Sequence, residues 1–212
     1  MVTVEADAAG VERRLRAGEL ACEVCGGVLA PWGWAREREL RGPAGERGRL
    51  RPRRGRCSGP LGCGRSHVLL PVNVLVRRAD EVAVIGAALE GKAAGRGHRT
   101  IASGLGRAPS TVRGWLRRFA GRAERVRAVF TALLVALVVD PDLPVPAGTA
   151  VGDAVAAVAA LAAAVARRFP VGVPVGALSR WRVASAASSG RLLAPGWPAG
   201  TINTSWPWEA AW

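Results

Sequence analysis

Four cysteines arranged in two pairs constrain the fold of this chain more than any other feature. The first pair has the spacing Cys22-x-x-Cys25, and five residues separate Cys57 from Cys63 in the second. Structural zinc takes four thiolate or imidazole ligands in a tetrahedron, and two cysteines on a tight turn supply one edge of it. The pattern predicts a structural Zn²⁺ site with Cys22, Cys25, Cys57 and Cys63 as ligands.

Other interpretations of the cysteines stay open. They could be unrelated buried thiols, or Cys22 and Cys25 could form a redox pair, although the βαβ context of such a pair is absent. The second pair is also more widely spaced than the usual gap of about two to four residues. His67 follows Cys63 by four residues and could replace one cysteine as a ligand.

Residues 18–71 are predicted to form a small β domain, a zinc ribbon, around this metal. Trp32 and Trp34 alternate with Gly33 and Ala35, which is typical of a strand. Four arginines at every second position are predicted to share one face of a further strand. These arginines are Arg47, Arg49, Arg51 and Arg53. Such a row would either follow a DNA backbone or protect an edge strand from aggregation.

The net charge of +14 is concentrated in two short windows. Residues 36–56 carry nine basic and three acidic groups, and residues 92–127 carry ten basic groups and one acidic group. Concentrated positive charge attracts polyanions. The charge therefore favours a nucleic acid as the partner, with an anionic membrane second, and a merely solvated face is the alternative.

Residues 79–121 are predicted to form a tri-helical helix-turn-helix domain. Asp80 is expected to cap the first helix, and the second helix spans 100–105 after a break at 95–97. Ser110 is expected to cap the third helix.

Three residues around the turn have the types that a helix-turn-helix needs. Ala102 is small where two helices cross, Gly106 permits a positive φ at the turn, and Val112 is apolar where the helices meet. The buried stripe of the third helix follows helical spacing. It comprises Val112, Trp115, Leu116 and Phe119.

The outward face of the third helix is predicted to contact DNA. A recognition helix presents its first residues to base edges in the major groove, where arginine can bind guanine or phosphate. Arginines at the turns are expected to contact phosphates. The predicted DNA-binding residues are Arg96, Arg99, Arg107, Ser110, Thr111, Arg113, Gly114, Arg117 and Arg118. The alternative is a helical hairpin whose basic face is merely solvated.

Residues 122–212 are predicted to form a helical C-terminal region. One helix spans 122–139, a long alanine-rich helix runs from Thr149 to Arg168, and a further helix lies within 175–189. The tail contains Trp197, Trp206, Trp208 and Trp212. These tryptophans are expected to cover the helices, or alternatively to dock a partner protein. The fold class is therefore mainly α with a small N-terminal β zinc ribbon.

The chain is not expected to be an enzyme. Gly86-x4-Gly91-Lys92 has P-loop spacing, but Ala93 follows where Ser or Thr would bind magnesium, and the segment is predicted to be helical. Only four carboxylates follow residue 127, which is a poor basis for the metal site of a transposase. No nucleophile–base pair is apparent.

The sequence predicts a cytoplasmic, nucleoid-associated protein. The first residues lack the basic and apolar regions of a secretory signal. The most apolar run, residues 128–139, is shorter than the roughly 20 residues that a bilayer span needs. No membrane partner is expected.

Several segments of the chain resemble a family of proteins from high-GC bacteria that join an N-terminal zinc ribbon to a helix-turn-helix. They are Cys22-Glu-Val-Cys25-Gly26, Arg53-Arg-Gly-Arg-Cys57, residues 63–71, residues 99–119, Gly190-Arg-Leu-Leu-Ala-Pro195 and Asn203-Thr-Ser-Trp-Pro-Trp208. The helix-turn-helix is also similar to those of transposases and their accessory proteins.

This resemblance implies sequence-specific binding of double-stranded DNA by an accessory factor of transposition or recombination. Such a factor would act with a recombinase or transposase in trans. A transcriptional regulator that pairs with a second copy of itself is the alternative. A catalytic relative of a transposase is a third interpretation.

Overall fold

A computed structural model describes residues 1–59, 62–169 and 179–197. Within these ranges the strands lie in the N-terminal third and most helices follow them, as expected for a mainly α chain with a small N-terminal β region. The strands are β1 (Val2–Val4), β2 (Leu29–Trp34), β3 (Arg38–Arg41), β4 (Arg47–Leu50), β5 (Arg53–Cys57) and β6 (Ser66–Pro71). The helices are α1 (Ala8–Arg16), α2 (Val82–Ala93), α3 (His98–Leu105), α4 (Pro109–Ala120), α5 (Ala123–Leu137), α6 (Ala150–Arg168) and α7 (Arg180–Ala187).

A four-stranded sheet holds the cysteines. Its strand order is β1-β6-β5-β2, with β1 parallel to β6 and the other neighbours antiparallel. Helix α1 begins at Asp7, whose carboxylate accepts hydrogen bonds from the backbone N–H groups of Ala9 and Gly10. Leu15 of α1 packs over Gly55 and into a core that includes Leu29 and Leu69. Strand β1 and helix α1 precede residue 18, so the sheet uses more of the chain than the sequence predicted.

The predicted arginine row does not exist as one strand. Arg47 and Arg49 lie in β4, which pairs only with β3, while Arg53 begins β5 in the other sheet. Pro52 separates them and is buried; it has no N–H to donate and therefore interrupts the strand. The prediction of a shared face for the four arginines was wrong.

The helices α2 to α7 share one hydrophobic core. The predicted boundaries were close, but two predicted caps were wrong. Glu81 rather than Asp80 occupies the N-cap of α2, and Ala108 rather than Ser110 occupies that of α4, where Pro109 takes the first helical position. Proline is favoured there because its missing N–H would have no helical partner. Thr149 caps α6 through its hydroxyl, which accepts from the Gly152 N–H.

The segment after α7 closes the helical core. Leu192 and Leu193 are fully buried, and Gly190 has a φ of 70° with its Cα directly against Leu70. Trp197 lies edge-to-face on Phe130, with ring centroids 6.4 Å apart, so this tryptophan covers α5 as predicted. The Asn203–Trp208 motif, the other three tail tryptophans and residues 175–178 of the predicted last helix lie outside the described residues.

Helix α6 is the one described helix long and apolar enough to cross a bilayer, with a mean hydropathy of 1.7. Half of that apolar window is buried inside the fold. Its buried residues include Val158 and Leu161, which belong to the core shared with α2 to α5. A core helix has the same composition, so α6 gives no sign of a membrane protein.

Candidate metal centre and nucleic-acid interface

The four cysteines meet at one end of the four-stranded sheet. Their sulfur atoms all lie within 4.8 Å of one another, and the structure has them as free thiols. The Sγ atoms of Cys25 and Cys57 are 3.4 Å apart, and those of Cys22 and Cys63 are 3.7 Å apart. The contacts therefore join the two predicted pairs to each other, and the cluster is compatible with a metal site.

The turn after Cys22 brings backbone N–H groups toward the sulfurs. Gly26 has a φ of 72° and donates its N–H to the carbonyl of Cys22. A Cβ atom on Gly27 would lie 3.0 Å from the Cys57 sulfur and 3.4 Å from that of Cys25. Only glycine fits at this position without moving a sulfur.

The environments of the sulfurs differ. Backbone hydrogen bonds from Gly27 and Cys63 lower the pKa of Cys25 to about 6. Burial raises the pKa of Cys57 to about 12. Cys22 and Cys57 are buried and the other two are exposed, so a cation bound here would be reached from solvent on one side only.

His67 lies beside the cluster and not in place of a cysteine. Its Nε2 is 3.2 Å from the Cys22 sulfur, and the side chain is buried. Burial lowers the pKa of His67, which favours its neutral form. A neutral ring can donate to a ligand sulfur and orient it, as outer-sphere groups do at metal sites.

The second candidate site is the outward face of α4. Helices α3 and α4 are joined by a turn at Gly106, whose φ is 61°, and Ala102 and Val112 are fully buried between them. Trp115, Leu116 and Phe119 are buried as predicted, which fixes the rotation of α4 about its axis.

This rotation exposes most of the predicted DNA-binding residues. Arg113 and Arg117 are exposed on α4, and Arg96 and Arg99 are exposed around the start of α3. None of these four pairs with a carboxylate in the described part of the chain. Of the remaining predicted residues, Ser110 and Arg118 are exposed, and Thr111 and Gly114 are half-buried.

Further arginines extend the basic surface past the end of α4. Arg118 donates to the Gly114 carbonyl at 3.0 Å. Burial and the charge of Arg118 lower the pKa values of both Arg78 and Arg122. The guanidinium of Arg78 donates to the Leu193 carbonyl, and that of Arg122 donates to the carbonyl of Ala194. The segment after α7 therefore holds the guanidinium groups of Arg78 and Arg122, which were not among the predicted DNA-binding residues.

Arg107 has a different role from the predicted phosphate contact. Its side chain is only 6% exposed, and its Nε lies 2.6 Å from the carboxylate of Asp80, which is also buried. Its Nη2 donates to the Gly42 carbonyl at 2.8 Å. The guanidinium thus holds the β3–β4 hairpin against α3 and is not free to contact DNA.

The predicted row of arginines is also largely engaged in ion pairs within the fold. Arg47 pairs with Glu39 and Arg49 with Glu37, across the β3–β4 ladder. Arg53 donates to Glu12 of α1 at 2.7 Å. Continuous contact of this predicted row with a DNA backbone has no support in the geometry.

Comparisons of the chain with family models, with curated proteins and with solved structures find no match. The resemblance to zinc-ribbon and helix-turn-helix proteins therefore stays a prediction. The function is inferred from the geometry of the two candidate sites.

Proposed function

We propose that the chain binds double-stranded DNA sequence-specifically, with α3–turn–α4 as a helix-turn-helix and α4 as its recognition helix. The observation that carries this proposal is the exposed face of α4, where Arg113 and Arg117 have no acidic partner among the described residues. The opposite face is locked into the core by Val112, Trp115 and Phe119. A rigid helix with a free basic face suits the major groove.

The rest of the basic surface supports the same orientation. Ser110 lies in the first turn of α4 and is exposed, as expected of a residue that approaches base edges. Arg96 lies just before α3 and Arg99 lies in its first turn, and this helix of a helix-turn-helix crosses the DNA backbone. Arg118 would neutralise a phosphate beside the groove. Arg107 is excluded because it is buried.

We further propose that the cysteine cluster binds one structural Zn²⁺, which would make the sheet a zinc ribbon. A Zn–S distance of about 2.3 Å in a regular tetrahedron separates neighbouring sulfurs by about 3.8 Å. Two of the observed separations, 3.4 and 3.7 Å, are near this value, and all four sulfurs lie within 4.8 Å of one another. Four thiolates without an open position define a structural rather than a catalytic zinc site. Native mass spectrometry with and without chelator would detect one bound zinc, and a metal-free chain that keeps its fold would refute the proposal.

The DNA proposal is tested by substitution on α4. A binding site is first selected from random duplexes, and affinities for that site and for random DNA are then measured. Arg113→Ala or Arg117→Ala is expected to weaken specific binding by about 1–3 kcal/mol if the arginine contacts a base bidentately. Arg99→Ala is expected to weaken binding to both DNAs alike. Arg13 is an exposed arginine on α1, far from α4 in the sequence. Arg13→Ala removes the same charge and is the matched control.

The outcomes separate three cases. A loss confined to the selected site supports sequence recognition by α4. Equal losses on selected and random DNA would reduce α4 to a phosphate-binding helix. Equal effects of Arg13→Ala and Arg113→Ala would mean that only net charge matters, and the assignment of α4 would be wrong.

Both proposed modes of action, an accessory factor and a homodimeric regulator, need a protein contact. Val135 at the end of α5 and the following Val139, Leu143 and Val145 are exposed apolar residues. They lie in the part of the chain that carries little net charge. If the chain is a homodimer, Val139→Asp is expected to weaken its self-association, measured by sedimentation. If the full chain instead captures a recombinase or transposase in a pull-down, the accessory factor is supported.

A further inference from the structure

Two tryptophans are exposed on the edge strand of the four-stranded sheet. Strand β2 is the outermost strand in the order β1-β6-β5-β2. Trp32 and Trp34 lie on it and are 53% and 50% exposed. The register shifts between Pro31 and Gly33, so Trp32 lies at a bulge. About half of each tryptophan is thus left to solvent, and tryptophan is enriched at interfaces because it offers a large apolar ring.

Arginine side chains are stacked on both rings. The guanidinium of Arg56 lies 4.5 Å from the ring centroid of Trp32. Arg53 and Arg51 lie 4.8 and 5.7 Å from that of Trp34. Cation–π contacts of this kind orient a ring, and about half of each tryptophan stays exposed to solvent.

Two of the stacked arginines, Arg53 and Arg56, are held in place by further hydrogen bonds. Arg53 donates to Glu12 of α1 and to the Gly33 carbonyl. Its guanidinium lowers the pKa of Glu12, so that carboxylate stays charged at neutral pH. Arg56 donates to the Gly64 carbonyl at 3.2 Å. The two tryptophan rings and the arginines stacked on them are therefore ordered before any ligand binds, which reduces the entropic cost of binding.

The chemistry of this surface fits unpaired bases. Successive bases of a single strand stack on aromatic side chains, while basic groups bind the phosphates between them. In a duplex the base faces are covered by neighbouring pairs, so a ring can stack only on an unpaired base. The window 36–56, which follows the tryptophans and supplies Arg51, Arg53 and Arg56, carries nine basic and three acidic groups, and a net positive charge complements a nucleic-acid backbone.

We infer that the β2–β5 edge, with Trp32 and Trp34 as stacking platforms, binds unpaired nucleotides of a single-stranded nucleic acid. This site is separate from α4, and it does not depend on duplex binding by that helix. Stacking is tolerant of sequence, so this contact adds little base preference. DNA and RNA offer the same base faces, and the experiment distinguishes them.

The test uses the full chain and labelled oligonucleotides in fluorescence anisotropy. The probes are a short oligothymidylate, the corresponding oligouridylate, and an abasic oligonucleotide of equal length that keeps the phosphates and lacks the bases. Trp32→Ala combined with Trp34→Ala is expected to weaken binding of the base-bearing strands roughly tenfold or more. Replacement of both by Phe keeps a π-face and is expected to restore most of the affinity. Stronger binding of the oligothymidylate identifies DNA as the preferred ligand, and stronger binding of the oligouridylate identifies RNA.

Two controls make the result specific. Arg113→Ala on α4 is expected to leave binding of the single strand unchanged, and the two tryptophan substitutions are expected to leave duplex affinity unchanged. Circular dichroism checks that each variant is folded, and if the Ala variant is not, the comparison of abasic and base-bearing strands on the unchanged chain decides. Equal affinity for the abasic and base-bearing strands would overturn the inference. So would unchanged binding by the Ala variant, or equal losses on single-stranded and duplex DNA.

Discussion

The ring of Trp181 occupies the space that any larger side chain at Gly86 would need. A Cβ atom on Gly86 would overlap the ring carbons, and the indole N–H donates to Glu90 one turn further along α2. Glycine costs helix stability, but here it lets α7 approach α2 closely. This contact also accounts for the glycine at position 86. Gly86 and Gly91 have the spacing of a P-loop, but both lie inside helix α2 and form no phosphate-binding loop.

The same substitution at two helical glycines is expected to have opposite effects. Gly86→Ala should lower the free energy of unfolding by about 1–3 kcal/mol, because the methyl group overpacks the core against Trp181. A Cβ atom at Gly104 in α3 would have no neighbour within 4 Å. Gly104→Ala should therefore raise the free energy of unfolding by about 0.5–1 kcal/mol, because alanine favours the helix more than glycine does. Denaturant unfolding followed by circular dichroism measures both. Stabilisation by Gly86→Ala would contradict the tight α2–α7 contact.

At the scale of elements, one buried ion pair joins the hairpin to the helices. Asp80 is 3% exposed, pairs with Arg107, and lies 3.8 Å from Arg41 of β3. Removing one partner of a buried pair leaves an uncompensated charge in the interior. The pair therefore fixes how the β3–β4 hairpin packs near the start of α3.

Arg107→Ala is expected to destabilise the fold by about 3–5 kcal/mol, because buried Asp80 loses its close partner and keeps only Arg41 at 3.8 Å. The double variant with Asp80→Ala should cost clearly less than the sum of the two single changes. Arg127→Ala removes an exposed pair with Glu124 and should cost about 0–1 kcal/mol. Thermal unfolding of the unchanged chain, the single variants Arg107→Ala and Asp80→Ala and the double variant gives the coupling energy. Additive losses would mean that Asp80 and Arg107 act independently.

Local patterns predicted the elements that depend on nearby residues. The stripe of Val112, Trp115 and Phe119 predicted which face of α4 is buried, and Gly106 predicted the turn before it. Both features are set within one or two helical turns, so sequence spacing is sufficient. The clustering of the four cysteines was likewise predictable, because thiols spaced in two such pairs commonly converge on one metal.

Features that depend on distant contacts were not predictable in the same way. Strand β1 has three residues and pairs with β6 about 67 positions later, so its own sequence carries almost no strand signal. The roles of Asp80 and Arg107 depend on burial, which charge counting cannot reveal. Two missed signals were present locally: Asp7 as a helix cap, and Pro52 as a break in the arginine row.

At the scale of the whole molecule, the sheet and the helices have separate hydrophobic cores of very different size. Among the described residues the sheet core has eight buried members, two of which are Cys22 and Cys57. The helical core runs from Leu75 to Leu193 and is several times larger. A core as small as that of the sheet rarely folds without a metal or disulfides. The helical core has no such need.

If the cysteine cluster binds zinc as proposed, removal of the metal is expected to unfold the sheet and spare the helices. With chelator, hydrogen exchange should become fast in β2, β5 and β6 because loss of metal uncouples the two cysteine pairs. Exchange should stay slow in α2, α5 and α6, whose buried residues belong to the other core. Cys63→Ser should reproduce the chelator effect without chelator, and Ser58→Ala, an exposed change in the same loop, should not. Fast exchange throughout the chain would show that the two cores unfold as one unit, and unchanged exchange in the sheet would mean that no metal supports it.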